Sequence, residues 1–126
     1  MTENELSSVI IGEAIHLHKR LGPGLLESVY EECLYFRLIQ RNVFVERQKP
    51  IPLIFEDVKL ECGFRCDLLI EKKLIIEIKA VESLNDIHLA QVLTYLKLTN
   101  IKLGLLINFN TVILKNGVRR VVNNLR

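Results

Sequence analysis

Residues 74–81, LIIEIKAV, constrain the fold more than any other part of this chain. Leu74, Ile75, Ile76, Ile78, Ala80 and Val81 form an apolar run rich in β-branched side chains. Such a run marks a strand covered on both faces. Glu77 and Lys79 interrupt it. Successive strand residues point to opposite faces, so these two share a face with Ile75. A buried charge is costly unless it is paired, hydrogen-bonded or bound to metal. The strand therefore needs a layer of structure on each side, and the acid and the base inside it need a reason.

Residues 63–70 read as a neighbouring strand. The three-residue link Glu71-Lys72-Lys73 predicts an antiparallel hairpin between the two. By alternation Arg65, Asp67 and Leu69 share one face, and Phe64, Cys66, Leu68 and Ile70 the other. A register that sets Asp67 near Glu77 brings two carboxylates and the Lys79 ammonium together. Two carboxylates, a backbone carbonyl and waters suit Mg²⁺, which favours octahedral oxygen coordination. A lysine beside them can orient or deprotonate an attacking water, or offset charge on a phosphoryl group. At this point the alternative is a solvated face with a weak ion pair.

The rest of the chain supplies the covering layers. Residues 5–20 and 25–40 carry mixed 3.6-residue apolar patterns and predict two helices, separated by the breakers Gly22-Pro23-Gly24. Residues 43–47 predict a short strand, and Pro50 and Pro52 confine the next segment to an edge or a strand start. Residues 53–60 predict a hairpin turning at Glu56-Asp57. Ser83 or Asn85 can cap a third helix running to about Thr99, with Leu89, Val92, Leu93 and Leu96 as its apolar stripe. Strands are expected at 102–108, 112–115 and 118–122, the last two joined by the turn signal Asn116-Gly117. The order predicts an α/β domain, a central mixed β-sheet flanked by helices.

At 126 residues the chain has the length of a single domain spanning 1–126. Hydrophobic content of 49% against 25% charged residues excludes a disordered polymer. The formal net charge of +2 permits an anionic partner without requiring one. No run approaches the roughly 20 apolar residues of a membrane span. The N-terminus has no basic stretch followed by an apolar one, so a cytoplasmic protein is expected. Cys62 and Cys66 would lie about 13 Å apart on one strand face, too far to bridge. With Cys33 they read as structural thiols. His16 and His18 do not share a helix face and make a poor metal pair, whereas His88 either reaches the site of Asp67, Glu77 and Lys79 or is a surface or capping residue. Arg119, Arg120, Lys102, Lys115 and Arg126 form a basic rim or a solvated face.

Asp67, nine residues, then Glu77-Ile78-Lys79 resembles the D-(x)n-[D/E]-x-K signature of the PD-(D/E)xK phosphodiesterases. Gln91-Val92-Leu93-Thr94-Tyr95 is similar to the Q-x-x-x-Y element of their exonuclease-like branch. Gly24-Leu25-Leu26-Glu27-Ser28-Val29-Tyr30 matches the motif of the small GxxExxY proteins, assigned to the same superfamily. The likeness runs from about Ile10 to the C-terminus, with Cys66 where the superfamily name has proline.

The resemblance implies a restriction-endonuclease-like core and a Mg²⁺- or Mn²⁺-dependent nuclease that hydrolyses nucleic acid, DNA rather than RNA, with metal-activated water. It implies Asp67, Glu77, the Ile78 carbonyl and Glu27 as metal residues, with Lys79 positioning or activating the water. Gln91 and Tyr95 would orient the substrate phosphate or the lysine. Asp67, Glu77, Lys79, Glu27, Gln91 and Tyr95 are thus the expected catalytic set. A homodimer or a partner chain is expected to help so small a domain grip a duplex. A non-catalytic module that keeps the nuclease fold and binds nucleic acid or protein is the alternative.

Overall fold

The apolar segment Leu74–Lys79 becomes the middle strand of a five-stranded sheet. In chain order the elements are α1 (Glu3–Leu21), α2 (Glu27–Gln40), β1 (Val45–Pro50), β2 (Leu53–Phe55), β3 (Val58–Leu60), β4 (Arg65–Ile70), β5 (Leu74–Lys79), α3 (Asp86–Thr99), β6 (Leu103–Asn108) and β7 (Val118–Val122). A short 3-10 turn, Leu114–Gly117, precedes β7. The computed structural model describes residues 1–61 and 63–125. Cys62 and Arg126 lie outside them, and with them the Cys62–Cys66 spacing and the Arg126 part of the basic rim.

The sheet order is β1-β4-β5-β6-β7, with β2 and β3 in a hairpin of their own. β5 runs antiparallel to β4 and parallel to β6, with α3 as the crossover, so the sheet is mixed as expected. One face is covered by α1 and α2. Leu6, Ile10, Ala14 and Leu17 of α1 and Tyr30, Leu34 and Leu38 of α2 pack with Leu68, Ile70, Leu74, Ile76 and Ile78. On the other face Val92, Tyr95 and Leu96 of α3 pack with Leu69, Ile75 and Leu106. Each buried Leu or Ile contributes about 1.5–3 kcal/mol. A one-residue slip of β5 would exchange Ile76 and Ile78 with Ile75 and Glu77, so the two layers fix its register.

Local chemistry sets the helix ends. Thr2 and Glu5 form a capping box at α1, and Gly22, with φ of 72°, ends it. Glu13 of α1 is buried and accepts from Arg37 and Arg41, each at 2.7 Å, clamping the helix to the end of α2. These two guanidinium groups hold the Glu13 carboxyl below its usual range, against the opposing effect of burial. Asn85 caps α3 through a reciprocal pair with His88, which settles that histidine as a capping residue. Asn100, in the left-handed region, stops it. β1 ends at Pro50 on the sheet edge, where a missing N–H is tolerated. Among the described residues no helix is long and apolar enough to cross a membrane.

One expected strand does not form. Residues 112–115 are loop and 3-10 turn, and β7 pairs with β6 instead, from Leu103↔Val122 to Ile107↔Val118. Tertiary contacts override the alternating pattern there. His18 Nε2 donates to the carbonyls of Phe109 and Thr111, at 3.2 and 2.9 Å. Leu114 turns into the core beneath α1, and Gly117 sits so close to the Asn108 carbonyl that no side chain fits.

Gly104 lets α3 approach the sheet. A Cβ there would come within 2.7 Å of Val92 Cγ1. Gly104→Val should lower stability by about 1–3 kcal/mol in urea denaturation, and adding Val92→Ala should recover part of the loss.

Candidate functional site

The site opens where β4 and β5 stop pairing. Their ladder ends at Leu68↔Ile76, and the next residues are Asp67 and Glu77. In place of a strand neighbour, Asp67 Oδ2 accepts the Ile78 N–H at 2.7 Å. Asp67 Oδ1 accepts from Gln48 Nε2 at 3.1 Å. β1 also skips this position: Arg47 pairs with Leu68 and Lys49 with Cys66, but Gln48 has no strand partner among the described residues. The irregularity corrects the alternation expected for this strand. Cys66 packs with Leu69 and Ile75 under α3, not with Leu68 and Ile70. In an extended strand the N–H and C=O of one residue point to the same edge. The Ile78 carbonyl is therefore directed to the edge that β4 has left, where Asp67 lies.

Glu77 shares the Ile75 face of β5, under α3, and is 5% exposed. Its Oε1 is buried without a hydrogen-bond partner, the one such side-chain atom among the described residues. Burial, then the charge of Asp67 and a hydrogen bond with it, push the Glu77 carboxyl up to about 9, and Lys79 offsets only part of this. Cys66 beside them is pushed up to about 12 by burial, then by Glu77 and Asp67. Tyr95 titrates above its usual range, first through burial and then through the charges of Glu77 and Asp67. Phe64 packs against the Tyr95 ring with centroids 6.0 Å apart.

These residues fit a hard divalent cation. A buried carboxylate oxygen with no hydrogen-bond partner is a suitable donor, and a cation would remove the penalty of ionising Glu77. Asp67, Glu77 and the Ile78 carbonyl are the donors. Among the described residues no three His, Cys, Asp or Glu side chains gather as a ready-made metal cage. Waters would complete the coordination, as Mg²⁺ prefers.

The other expected residues are placed unevenly around this centre. Lys79 is half-buried, two residues from Glu77 on the same face, and makes no ion pair among the described residues. The acid and base of β5 are therefore not a surface salt bridge. Glu27 opens α2 and accepts the Ala80 N–H at 2.9 Å. It reaches the end of β5 but does not join Asp67 and Glu77 in a three-acid cluster. Gln91 is exposed one turn before Tyr95. Tyr30 is core: it stacks on Phe109 at 4.4 Å, donates to Gly22 O at 2.6 Å and accepts from Leu25 N at 3.1 Å. It thereby pins the Gly22–Gly24 turn that delivers Glu27.

Three polar residues were not anticipated. Gln48 and Glu31 are joined by a 2.7 Å hydrogen bond and lead to Asp67. Asn108, 2% exposed, exchanges hydrogen bonds with the Val81 backbone at 3.1 and 3.0 Å and fixes the chain leaving β5. Only Glu31 carried a signal in the sequence, lying four residues after Glu27 on the same helix face.

A family model described as the PD-(D/E)XK nuclease superfamily matches residues 4–121. No curated protein and no solved structure matches the chain.

The Glu77 carboxyl gives a pH dependence of known sign. The folded protein keeps a proton that the unfolded chain releases above about 4.5, so stability from this group falls as pH rises from there towards 9. Glu77→Gln has no proton to lose. In EDTA, urea denaturation should show the variant gaining on the wild type across that range; parallel curves would contradict the raised value.

Proposed function

The chain belongs to the PD-(D/E)XK nuclease superfamily, and we propose that it hydrolyses phosphodiester bonds in nucleic acid, DNA in preference to RNA, at the β4–β5 gap. Its α/β architecture, three helices on a five-stranded mixed sheet, is that of a restriction-endonuclease-like core. Nucleases of this superfamily generally use divalent metal ions. The observation that carries the reading is the buried, partnerless Glu77 Oε1 beside Asp67.

In this reading Asp67, Glu77 and the Ile78 carbonyl hold Mg²⁺ or Mn²⁺. The ion would supply Lewis acidity and lower the pKa of water at neutral pH. Lys79, which makes no ion pair among the described residues, orients the attacking water and offsets negative charge as the phosphoryl group is displaced in line. Tyr95, buried with Ile75 and Leu106 on the face that carries Glu77, helps to exclude water from that side of the site. Gln91, a turn away and exposed, offers an amide to a substrate phosphate. Glu27 holds the end of β5 through Ala80 and adds a further acid at the rim of the site. The exposed Arg119 and Arg120 on β7 are candidates for backbone phosphates. A second copy of the chain would extend the surface available to a duplex, and the cytoplasm is the setting this chemistry suits.

The test is a cleavage panel over single-stranded, duplex and branched DNA and over RNA, with Mn²⁺. Wild type should cut at least one DNA substrate, and EDTA should abolish the activity. Asp67→Ala and Glu77→Ala should lose Mn²⁺ binding in calorimetry. Lys79→Ala should keep it while cleaving about 100-fold more slowly or worse. Intact binding of nucleic acid without cleavage of any substrate would instead mark a non-catalytic binding module, and sedimentation equilibrium decides between monomer and dimer.

A further inference from the structure

Gln48 is a backbone anomaly. The other non-glycine residues of positive φ among those described have ordinary reasons for it. Glu56-Asp57 and Glu71-Lys72 are hairpin turns, while Asn42, Asn100 and Asn124 are asparagines, which tolerate the left-handed region. Gln48, with φ of 48°, lies inside β1, where neither reason applies. Strain of this kind persists only when the surroundings impose it, and it clusters at functional sites.

The side chain shows what the strain accomplishes. Consecutive residues of a regular strand point to opposite faces. Yet Arg47 and Gln48 both bond Glu31: Arg47 Nη2 donates to Oε2 at 3.0 Å and Gln48 Nε2 to Oε1 at 2.7 Å. The left-handed residue is what breaks the alternation. Gln48 Nε2 also donates to Asp67 Oδ1 at 3.1 Å. Both partners are carboxylates, acceptors only when ionised, so the two amide N–H groups are both used and the amide orientation is dictated.

Glu31 is a firm anchor. It is 7% exposed on α2, and Arg47 holds it while also donating to Glu32 at 2.7 Å and lying 5.0 Å above the Tyr35 ring. Arg65 Nη1 donates to the Gln48 carbonyl at 3.2 Å and holds the strained residue from the other side.

We propose that Gln48 is the positioning residue of the site, a neutral link that fixes the Asp67 carboxylate to the buried Glu31 of α2 so that Oδ2 stays on the Ile78 N–H and the carboxylate is held where it would ligate a cation. The inference rests on the reading of Asp67 as a cation ligand. A glutamate at 48 would repel both neighbours, and a lysine would set a positive charge against the ion. The amide joins two acids without adding charge.

Gln48→Gly separates this role from folding, because glycine adopts positive φ readily. Its urea midpoint should equal or exceed that of the wild type. Exchange of the Ile78 amide, followed by NMR in the metal-free protein, should accelerate about tenfold while the Ile76 amide is unchanged. Mn²⁺ affinity by calorimetry should fall about tenfold or more, the usual size for residues that orient a ligand. Gln48→Met, of similar length but without donors, should show the same two losses with its backbone strain retained. Wild-type exchange and Mn²⁺ affinity in both variants would overturn the role of Gln48. A wild type that binds no more Mn²⁺ than Asp67→Ala would overturn the cation site itself, and this inference with it.

Discussion

One hydrogen bond organises the functional end of this molecule: the Asp67 carboxylate on the Ile78 N–H. In a continued antiparallel ladder the backbone of β4 would meet that edge of β5, and no room would remain between the strands. A side chain in its place satisfies the donor while opening a gap one residue wide. Ile78 sits between Glu77 and Lys79, so the same bond sets the backbone carrying both. Three features of the gap depend on it: the free edge of β5, the approach of Asp67 to Glu77, and the break in alternation that sends Cys66 under α3.

The layers on either side give the gap its electrostatics. Hydrophobic packing by α1 and α2 below and α3 above leaves Glu77 in a low-dielectric setting, where ionisation is penalised and attraction to a cation is strengthened. A carboxyl held neutral near pH 7 with one oxygen unbonded is unfavourable by itself. That energy is available to whichever ion completes the site. The same logic explains why Lys79 stands apart from both acids: a lysine locked in an ion pair could not respond to a phosphoryl group.

Much of this was legible from residues alone because it depends on strong local patterns. The apolar run of β5, its three-residue link to β4, the cap of α3 and the approach of Asp67 to Glu77 come from period, turn chemistry and the penalty of burying charge. The failures have a common cause. The expected strand at 112–115 yields to His18, which lies 93 residues from Thr111 and takes its carbonyl. Cys66 changes face because the bond from Asp67 to the Ile78 N–H interrupts the ladder and with it the alternation. Gln48 has no local signal, since glutamine shows no preference for the left-handed region. In each case a distant partner decides the backbone, and no window of neighbouring residues contains that partner. The role of Glu27 was read from a motif, and the structure adds a specific contact, the Ala80 N–H.

The central claim is that the gap between β4 and β5 is a cation site built from Asp67, Glu77 and the Ile78 carbonyl. Anomalous diffraction from crystals grown with Mn²⁺ measures this directly. The expected result is a peak at about 2.0–2.3 Å from an oxygen of each carboxylate and from the Ile78 carbonyl, with waters filling the remaining positions. Density elsewhere on the surface, with Asp67 and Glu77 left as they are without metal, would contradict it.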